Sequence, residues 1–266
     1  MDFGTFYQFV DGQLIQVAEN AEVELAVADS WLVEDSAVRN QRLHFNRFLE
    51  ACLVQPLAPS EETFEAFFHA VLAQIPSTGR WFPRIEFHAE KADPLFLKLR
   101  EAPAQLGNAV LWTLLEPDPR SSPTIKGPDL SLCMQLRRKA QMHGADEAVL
   151  LGVHGDVAEG ALSSLVWWQG NILCAPDDST EWLDSVTRRE VLEIASQLGV
   201  ETKLVRSKPL DLVDCEVWLL SSLHGIRPVE RWLHNHGEIE LSKQTIESVK
   251  RLESFRLRLK MLSTRP

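Results

Sequence analysis

Lys126 carries a primary amine that could do covalent chemistry in its neutral form. It lies in the segment EPDPRSSPTIKGP, which is rich in proline and serine and shows no apolar periodicity. A lysine amine attacks a carbonyl group only in its neutral form, which a buried strand end favours because burial disfavours the charge. A lysine chosen blindly is more often a solvated loop residue, so Lys126 alone does not identify a site.

The segment that begins at Val186 and Thr187 could bind a phosphate group. Thr187 and Glu190 have the spacing of a capping box, and an apolar stripe with helical spacing follows, up to Gly199. The first turn of a helix offers unbonded N–H groups and the favourable end of the helix dipole to an anion. A capping box recurs in many helices, so an ordinary cap at Thr187 stays open.

Arg84 and His88 could bind a carboxylate. Arg84 is a charge within the otherwise apolar segment WFPRIEF, and its planar guanidinium can hold a carboxylate through two N–H groups. His88 follows four residues later and lies on the same side if the strand is regular. A solvated face for Arg84 is an equal alternative.

Four segments of the second half, in their order along the chain, resemble the class IV aminotransferase family. They are DPRSSPTIKGPDL around Lys126, GADEAVLLGVHGDVAEGALSSLVWW around Glu159, LDSVTRREVLEIA around Thr187 and EVWLLSSLHGIRPV around Ser222. A fifth similar segment, LHFNRFLEA around Arg47, lies upstream. The resemblance therefore extends from about Asp29 to Val229.

The resemblance implies a cofactor and a role for each matched residue. Lys126 would hold pyridoxal 5'-phosphate as a Schiff base, and Glu159 would pair with the pyridine nitrogen. A carboxylate there keeps the nitrogen protonated, so that the ring withdraws electrons from the substrate. Glu159 as an exposed turn residue beside Gly160 is the alternative. The remaining cofactor-binding positions would hold the phosphate: Arg47, Val186, Thr187 and Ser222.

The sequence departs from the family's usual pattern in three places. Gly127-Pro128-Asp129 follows the lysine, where most members carry Thr or Ser, and this fixes a different backbone path that could shift the next helix start. Ser164 replaces a common asparagine. Tyr7, the only tyrosine, is too early to match the tyrosine often found near the lysine. Trp31 or Phe82 is expected to fill that space, which makes Trp31 a candidate for contact with substrate.

The pattern of apolar residues predicts which elements position these side chains. The first third should contain a hairpin around Asp11-Gly12, a strand within VELAVADSWLV, and helices over residues 42–57 and from Ser60 to about Ile75. The predicted strands that follow are WFPRIEFH, PLFLKL and AVLWTLL. The second half should contain a helix over residues 130–143, the helix at Val186, a helical tail from Ser242, and the strands AVLLGV, SLVWW, ILCAP, TKLVR and EVWLLSS.

These elements predict an α+β protein of two domains, and the resemblance implies the architecture of the fold-type IV pyridoxal-phosphate enzymes. A smaller α/β domain is expected over residues 1–119. A larger domain with a mixed, barrel-like sheet is expected over residues 120–266, after the linker in EPDPRSSPTIKGP. The resemblance also implies that the cofactor lies between the domains and that the active unit is a homodimer.

Composition limits the partners. The formal net charge of −11 repels phosphate backbones, so nucleic acid is not expected to bind. The first residues lack the basic and apolar regions of a secretory signal, and charged residues interrupt every apolar stretch, so a soluble cytoplasmic protein without a membrane partner is expected. The four cysteines are far apart and have no His at ligand spacing, which favours reduced core thiols over disulfides or a metal site.

The expected reaction is transfer of an amino group between an amino acid and a 2-oxo acid, with Lys126 also moving the proton between carbon atoms. Elimination of pyruvate by a 4-amino-4-deoxychorismate lyase, which uses the same cofactor, lysine and glutamate, is the alternative within the family. The departures at Gly127–Asp129 and Ser164 also allow a binding protein that has lost activity. The joint presence of Lys126, Glu159, Thr187 and Arg47 argues against that third hypothesis.

Overall fold

The computed structural model describes residues 4–19 and 24–265, which form two compact units. The first unit holds the described residues up to Ala104, the short segment Ile125–Pro128, and the end of the chain from Met261. The second unit holds Gln105–Thr124 and Asp129–Lys260. Both mix helices with sheets, which confirms the α+β class.

The first unit is built on a five-stranded antiparallel sheet in the order β2-β1-β8-β7-β3. Its strands are β1 (Thr5–Val10), β2 (Gln13–Val17), β3 (Val27–Ser30), β7 (Arg84–Phe87) and β8 (Leu95–Leu99). A smaller sheet contains β4 (Val33–Glu34), β5 (Ala37–Arg39), β6 (Arg80–Trp81) and β18 (Ser263–Thr264). Asp11 and Gly12 both have positive φ, as the tight turn predicted between β1 and β2 requires. The first residue of the predicted strand VELAVADSWLV, Val23, lies outside the described residues.

Two helices cover one face of this sheet: α1 (Gln41–Leu53) and α2 (Glu61–Gln74). Their phenylalanines pack with alternate residues of the strands, among them Ile85 and Leu97, in one apolar core. Ser60 caps α2 through its side chain, as predicted. Helix α1 ends four residues before the predicted end at Leu57, because Pro56 lacks an N–H group and disfavours helical conformation at the residue before it.

The second unit is built on a nine-stranded mixed sheet in the order β11-β10-β9-β16-β15-β12-β13-β14, with β17 paired to β16. The pairs β9–β10, β9–β16 and β13–β14 are parallel, and the other pairs are antiparallel. The strands are β9 (Ala109–Thr113), β10 (Glu147–Leu151), β11 (Val157–Gly160), β12 (Ser164–Gln169), β13 (Ile172–Pro176), β14 (Thr202–Val205), β15 (Glu216–Ser221), β16 (Gly225–His234) and β17 (Gly237–Ile239).

Three helices belong to the second unit: α3 (Leu130–Met142), α4 (Val186–Gln197) and α5 (Ile246–Met261), the last of which ends at the boundary between the units. Helices α3 and α4 end before Gly144 and Gly199, as predicted, since both glycines have the positive φ that terminates a helix. The tail helix α5 begins four residues after the predicted Ser242. Its Phe255 packs on Trp168 and Trp218.

The structure divides the chain differently from the expected boundary near Pro119. Strand β9 pairs with β10 and β16, so the chain enters the second unit at Gln105. The segment Ile125–Pro128 then belongs to the first unit. Composition could not indicate this, because the proline-rich segment contributes to the first unit through a few backbone contacts rather than through an apolar pattern.

Two further expectations concern the cysteines and the membrane. All four cysteines are buried free thiols, which confirms the prediction of core thiols. Within the part of the chain that the structure describes, every helix is too short or too polar to span a bilayer.

Candidate active site

Lys126 lies on a segment that is fixed against strand β3. The backbone N–H of Ala28 donates to the carbonyl oxygen of Lys126 at 2.6 Å. Gly127 has φ +154°, and a Cβ atom there would lie 2.7 Å from Ala26 O and from Val27 Cα. Because only glycine fits at this distance, Gly127 allows the lysine backbone to approach the strand. The departure after the lysine thus has a structural role.

Asp129 closes the loop that carries the lysine. Its carboxylate accepts hydrogen bonds from the backbone N–H groups of Ser121 at 3.1 Å and Ser122 at 2.7 Å. Helix α3 begins at Leu130, where the apolar pattern predicted it. The departure over residues 127–129 therefore closes the loop and leads directly into helix α3.

A buried cluster of charged residues lies beside this segment in the first unit. The carboxylate of Asp29 is wholly buried at the end of β3 and accepts hydrogen bonds from Arg47 Nε at 2.8 Å and from Arg47 Nη2 at 2.9 Å. His44 Nδ1 lies 2.8 Å from Asp29 Oδ1. Burial alone would raise the pKa of Asp29, but Arg47 and His44, with a contribution from the charge of Lys126, lower it to about 2.

Trp31 adjoins the same cluster. Its ring centroid lies 5.9 Å from that of His44 and 5.2 Å from that of Phe45, and the side chain is buried. Its Nε1–H finds no acceptor among the described residues. Phe82, the other residue expected to replace a tyrosine, is covered by the guanidinium of Arg100 at 4.8 Å.

Glu159 is buried on β11 in the second unit rather than exposed in a turn. Its Oε1 accepts hydrogen bonds from Arg120 Nη1 at 2.6 Å and from the backbone N–H of Leu183 at 2.9 Å. Arg120 also binds Asp118 through Nε and Nη2. Glu159 Oε2 accepts no hydrogen bond from the described residues. Burial raises the pKa of Glu159, and the charges of Arg120 and Arg188 oppose this.

A second buried arginine lies near Glu159. The guanidinium of Arg188 stacks 3.2 Å from the ring centroid of Trp182, whose Nε1–H donates to Asp177 O at 3.0 Å. Burial lowers the pKa of Arg188 to about 10, against the attraction of Glu159 and Asp178. The loop before α4 is thereby held by the stacking of its Trp182 on Arg188 of the helix and by the hydrogen bond from Leu183 to Glu159.

Helix α4 begins at Val186, but its cap is Ser185 and not Thr187. The Ser185 side chain accepts from the N–H of Arg188 at 3.3 Å, which corrects the capping box expected at Thr187 and Glu190. Val186 and Thr187 are therefore the first two residues of the helix, and both are buried. Ser222 is half-buried directly after β15, against which α4 packs. The first turn of α4 keeps the geometry that suits an anion.

Arg84 and His88 share one carboxylate. Arg84 Nε donates to Glu86 Oε1 at 2.5 Å, and His88 Nε2 lies 2.9 Å from Glu86 Oε2. The three residues alternate along the chain on one side, as the expected strand periodicity requires. Arg84 is largely buried, with 13% of its side chain exposed, so it does not lie on a solvated face.

The predicted site residues thus fall into three groups. The first unit brings Trp31, Arg47 and Lys126 together around Asp29 and His44, and it holds Arg84 with His88 separately around Glu86. The second unit holds Glu159 close to the beginning of α4. Sequence reasoning missed Asp29, although it is a charge within an apolar strand, the signal that identified Arg84. It also missed Arg120 and Arg188, which lie within the quoted segments but carry no local pattern of their own.

The sequence profile of the amino-transferase class IV family matches residues 26–232. An aminodeoxychorismate lyase from Bacillus subtilis is 31% identical over 133 residues, which are 50% of this chain and 45% of that protein. A branched-chain-amino-acid aminotransferase from Escherichia coli is 26% identical over 120 residues, which are 44% of this chain and 38% of that protein. The chain therefore aligns with less than half the length of these curated relatives.

Solved structures are similar over almost the whole chain. A hypothetical aminotransferase from Mycobacterium tuberculosis, in its apo form, has a TM-score of 0.78 at 18% identity and covers 97% of this chain and 99% of its own. Its PLP-bound form has a TM-score of 0.77 at 17% identity, over 96% and 98%. The branched-chain amino acid aminotransferase from Escherichia coli has a TM-score of 0.75 at 17% identity, over 95% and 93%. At these identities the likeness establishes the fold.

Proposed function

Because the chain belongs to the class IV aminotransferase family, we propose that it is an aminotransferase that exchanges an amino group between an amino acid and a 2-oxo acid. Class IV aminotransferases use pyridoxal 5'-phosphate. One observation carries the proposal: Glu159 is buried, Arg120 and Leu183 N hold its Oε1, and its Oε2 accepts no hydrogen bond from the described residues. An acceptor held in this way suits the N–H of a pyridine ring.

The residues present fit this cofactor in both units. In the first unit, the lysine that would bind the aldehyde carbon is fixed at its backbone by Ala28 and Gly127. In the second unit, Val186 and Thr187 stand at a helix N-terminus that suits the phosphate, and Ser222 would add a hydroxyl donor. Arg47 would add a guanidinium donor, which it already shares with the Asp29 carboxylate.

Each residue has a separate task in the proposed reaction. The bound cofactor supplies the electron-withdrawing ring that lowers the cost of removing a proton from the substrate Cα. Lys126 Nζ would move that proton between Cα and C4′, and Glu159 would keep the ring nitrogen protonated. Arg84 would bind the substrate carboxylate, with His88 beside it and Trp31 against the side chain of the substrate. For Arg84 to do so, it would have to share its guanidinium with Glu86.

We also propose a homodimer as the active unit, as the resemblance implies. Light scattering coupled to size exclusion would measure the mass directly against the 30.1 kDa of one chain.

A lyase that eliminates pyruvate from aminodeoxychorismate is the second candidate. The observation that favours it is the 31% identity to the Bacillus subtilis lyase, the higher of the two curated relatives described above. The same lysine and glutamate would serve both reactions, so the site does not separate them.

Spectroscopy and two assays test the proposal. The purified protein with added pyridoxal 5'-phosphate should be yellow, and borohydride should fix the chromophore to the peptide that carries Lys126. The same preparation is then assayed with branched-chain or D-amino acids plus 2-oxoglutarate, and with aminodeoxychorismate. Keto acid formation from the amino acids supports the aminotransferase, and pyruvate release from aminodeoxychorismate alone supports the lyase.

Two lysine variants complete the test. Lys126→Ala should lower turnover by about a thousandfold, since a positioned proton-transfer group and the covalent anchor are both lost. Lys203→Ala, at an exposed lysine paired with Glu201, should behave like the unmodified protein. A colourless protein that takes up no cofactor, or a Lys126→Ala variant with full turnover, would contradict the proposal.

A further inference from the structure

Asp29 lies at the centre of the cluster in the first unit, and the proposed function gives it no task. Its carboxylate accepts four hydrogen bonds, the fourth from the backbone N–H of Ser30 at 2.7 Å. Both oxygens are used, and the residue is wholly buried. Such a group stays ionised and does not accept a further proton, because Arg47 and His44 stabilise its charged form. It is therefore unsuited to act as a base.

Asp29 is tied to Lys126 through the backbone of β3. The residue before it, Ala28, donates its N–H to the carbonyl of Lys126 at 2.6 Å. Gly127 packs closely against the backbone of Ala26 and Val27, which is possible because it has no Cβ atom, and this contact fixes the same segment next to Lys126. The charges of Asp29 and Lys126 are close enough to interact. A change of charge at Asp29 should therefore change the pKa of the Lys126 amine.

The charged groups around Asp29 come from three elements. Arg47 and His44 face it from α1, Lys126 faces it from the segment Ile125–Pro128, and Arg39 of β5 acts on His44. Burial lowers the pKa of His44, so this imidazole is neutral at physiological pH, although the Asp29 carboxylate opposes the shift. Without the Asp29 carboxylate, the lysine amine would lose a nearby negative charge that offsets the guanidinium of Arg47.

We infer that Asp29 is a positioning residue: it fixes the guanidinium of Arg47 and cancels the Arg47 charge beside the Lys126 amine. The role of Asp29 in catalysis rests on the proposed function. The electrostatic effect of Asp29 on Lys126 is present also in the protein without cofactor. Asp29 acts through Arg47 and Lys126 and does not touch the reacting atoms.

Competitive labelling of the cofactor-free protein measures this effect. Acetic anhydride modifies the neutral amine, and mass spectrometry of the peptide with Lys126 gives the pH midpoint of its modification. In Asp29→Asn, the loss of the carboxylate charge should move the midpoint to lower pH by about one unit or more. In Arg47→Gln, the unbalanced charge of Asp29 should move it to higher pH. The opposite signs keep the test decisive even if one variant does not fold.

Glu86→Gln is the matched control. Glu86 is also a buried carboxylate of the same sheet, held by one arginine and one histidine, and its pKa is also lowered: burial raises it, but hydrogen bonds and charges from His88 and Arg84 outweigh this. Its loss should cost stability comparable to the loss of Asp29 and leave the Lys126 midpoint where it is. A merely structural role for Asp29 would make the two variants behave alike.

The spectrum of the loaded protein gives a second reading. The visible absorbance of the cofactor is titrated with pH, and the pH of its midpoint is compared between variants. This midpoint should be lower in Asp29→Asn and unchanged in Glu86→Gln. An unchanged midpoint in either Asp29→Asn or Arg47→Gln, measured on a variant that folds, would overturn the role of Asp29. If the unmutated protein took up no pyridoxal 5'-phosphate, that result would contradict the proposed function. The labelling of the cofactor-free protein would still test whether Asp29 sets the charge around Lys126.

Discussion

Asp29 in the first unit and Glu159 in the second are both buried carboxylates paired with an arginine, yet their pKa values shift in opposite directions. Burial raises the pKa of each. Asp29 has two side-chain partners and a backbone N–H that occupy both of its oxygens. The hydrogen bonds to Glu159 all reach Oε1, and burial outweighs them.

The number and placement of partners therefore decide the behaviour of these two groups more than the depth of burial does. A carboxylate with both oxygens satisfied is a fixed charge that can orient its neighbours. A carboxylate with one oxygen held in place and the other without a protein donor can bind a ligand N–H with little reorganisation. The comparison fits the tasks proposed for the two residues, which are support by Asp29 and direct contact with the cofactor by Glu159.

Glu159→Gln should have the largest effect. The amide keeps an acceptor for Arg120 but cannot keep a pyridine nitrogen protonated, so kcat should fall by about a hundred- to a thousandfold, with little change in KM. Steady-state kinetics of the loaded enzyme measure this. Glu147→Gln is the control, because Glu147 is equally buried in the same sheet and accepts from Ser163 Oγ at 3.0 Å. If kcat fell equally in both variants, the loss would follow from removing any buried carboxylate of this sheet. That result would contradict a specific role for Glu159.

Gly127→Ala should have the next largest effect. The new Cβ atom would lie 2.7 Å from Ala26 O and from Val27 Cα, at a φ that side chains rarely adopt, which should cost about 3 kcal/mol of unfolding free energy. Lys126 should also lose its position, so cofactor affinity should fall. Gly12→Ala separates the two causes, since Gly12 also has positive φ but has no atom within 4 Å of such a Cβ. It should cost about 1 kcal/mol and leave cofactor affinity unchanged. Similar affinities in both variants would contradict the role given to Gly127.

The comparison between the units also separates what the sequence could predict from what it could not. Periodicity located the five helices of the described ranges, most of the strands, and the two helix ends at Gly144 and Gly199, because these depend on local patterns. The family resemblance supplied the fold and the cofactor. The partners of each site residue were out of reach, since Asp29 meets Arg47 across 18 positions and Glu159 meets Arg120 across 39. The cap of α4 was misplaced because Ser185 and Thr187 are both good capping residues, and only backbone geometry distinguishes them.

Acid unfolding should show that the two carboxylates contribute to the free energy of unfolding with opposite pH dependence, because their pKa values shift in opposite directions. The pKa of Asp29 falls from 3.8 to about 2 on folding, so its stabilisation of about 2 kcal/mol is complete above pH 3.8 and is lost as the pH falls to about 2. The stability difference between the natural sequence and Asp29→Asn should shrink over that range. The raised pKa of Glu159 has the reverse consequence: its charge costs stability as the pH rises above its ordinary value of 4.5. Urea unfolding of both variants between pH 2 and pH 7 measures the two slopes. Slopes of the same sign would contradict the contrast between the clusters.

The smallest expected effect on stability and cofactor binding comes from the helix caps, since each unit has a helix that begins with a serine cap. Ser60 caps α2 and Ser185 caps α4, each through a hydrogen bond of 3.3 Å from a backbone N–H three residues on. Replacement of either by alanine should cost about 1 kcal/mol of unfolding free energy. Only Ser185→Ala loosens the helix end where Val186 and Thr187 would bind the cofactor phosphate. Its dissociation constant for pyridoxal 5'-phosphate should therefore rise a few-fold, while that of Ser60→Ala should not. If both constants rose together, affinity would follow stability alone, and the first turn of α4 would have no special part in binding the phosphate.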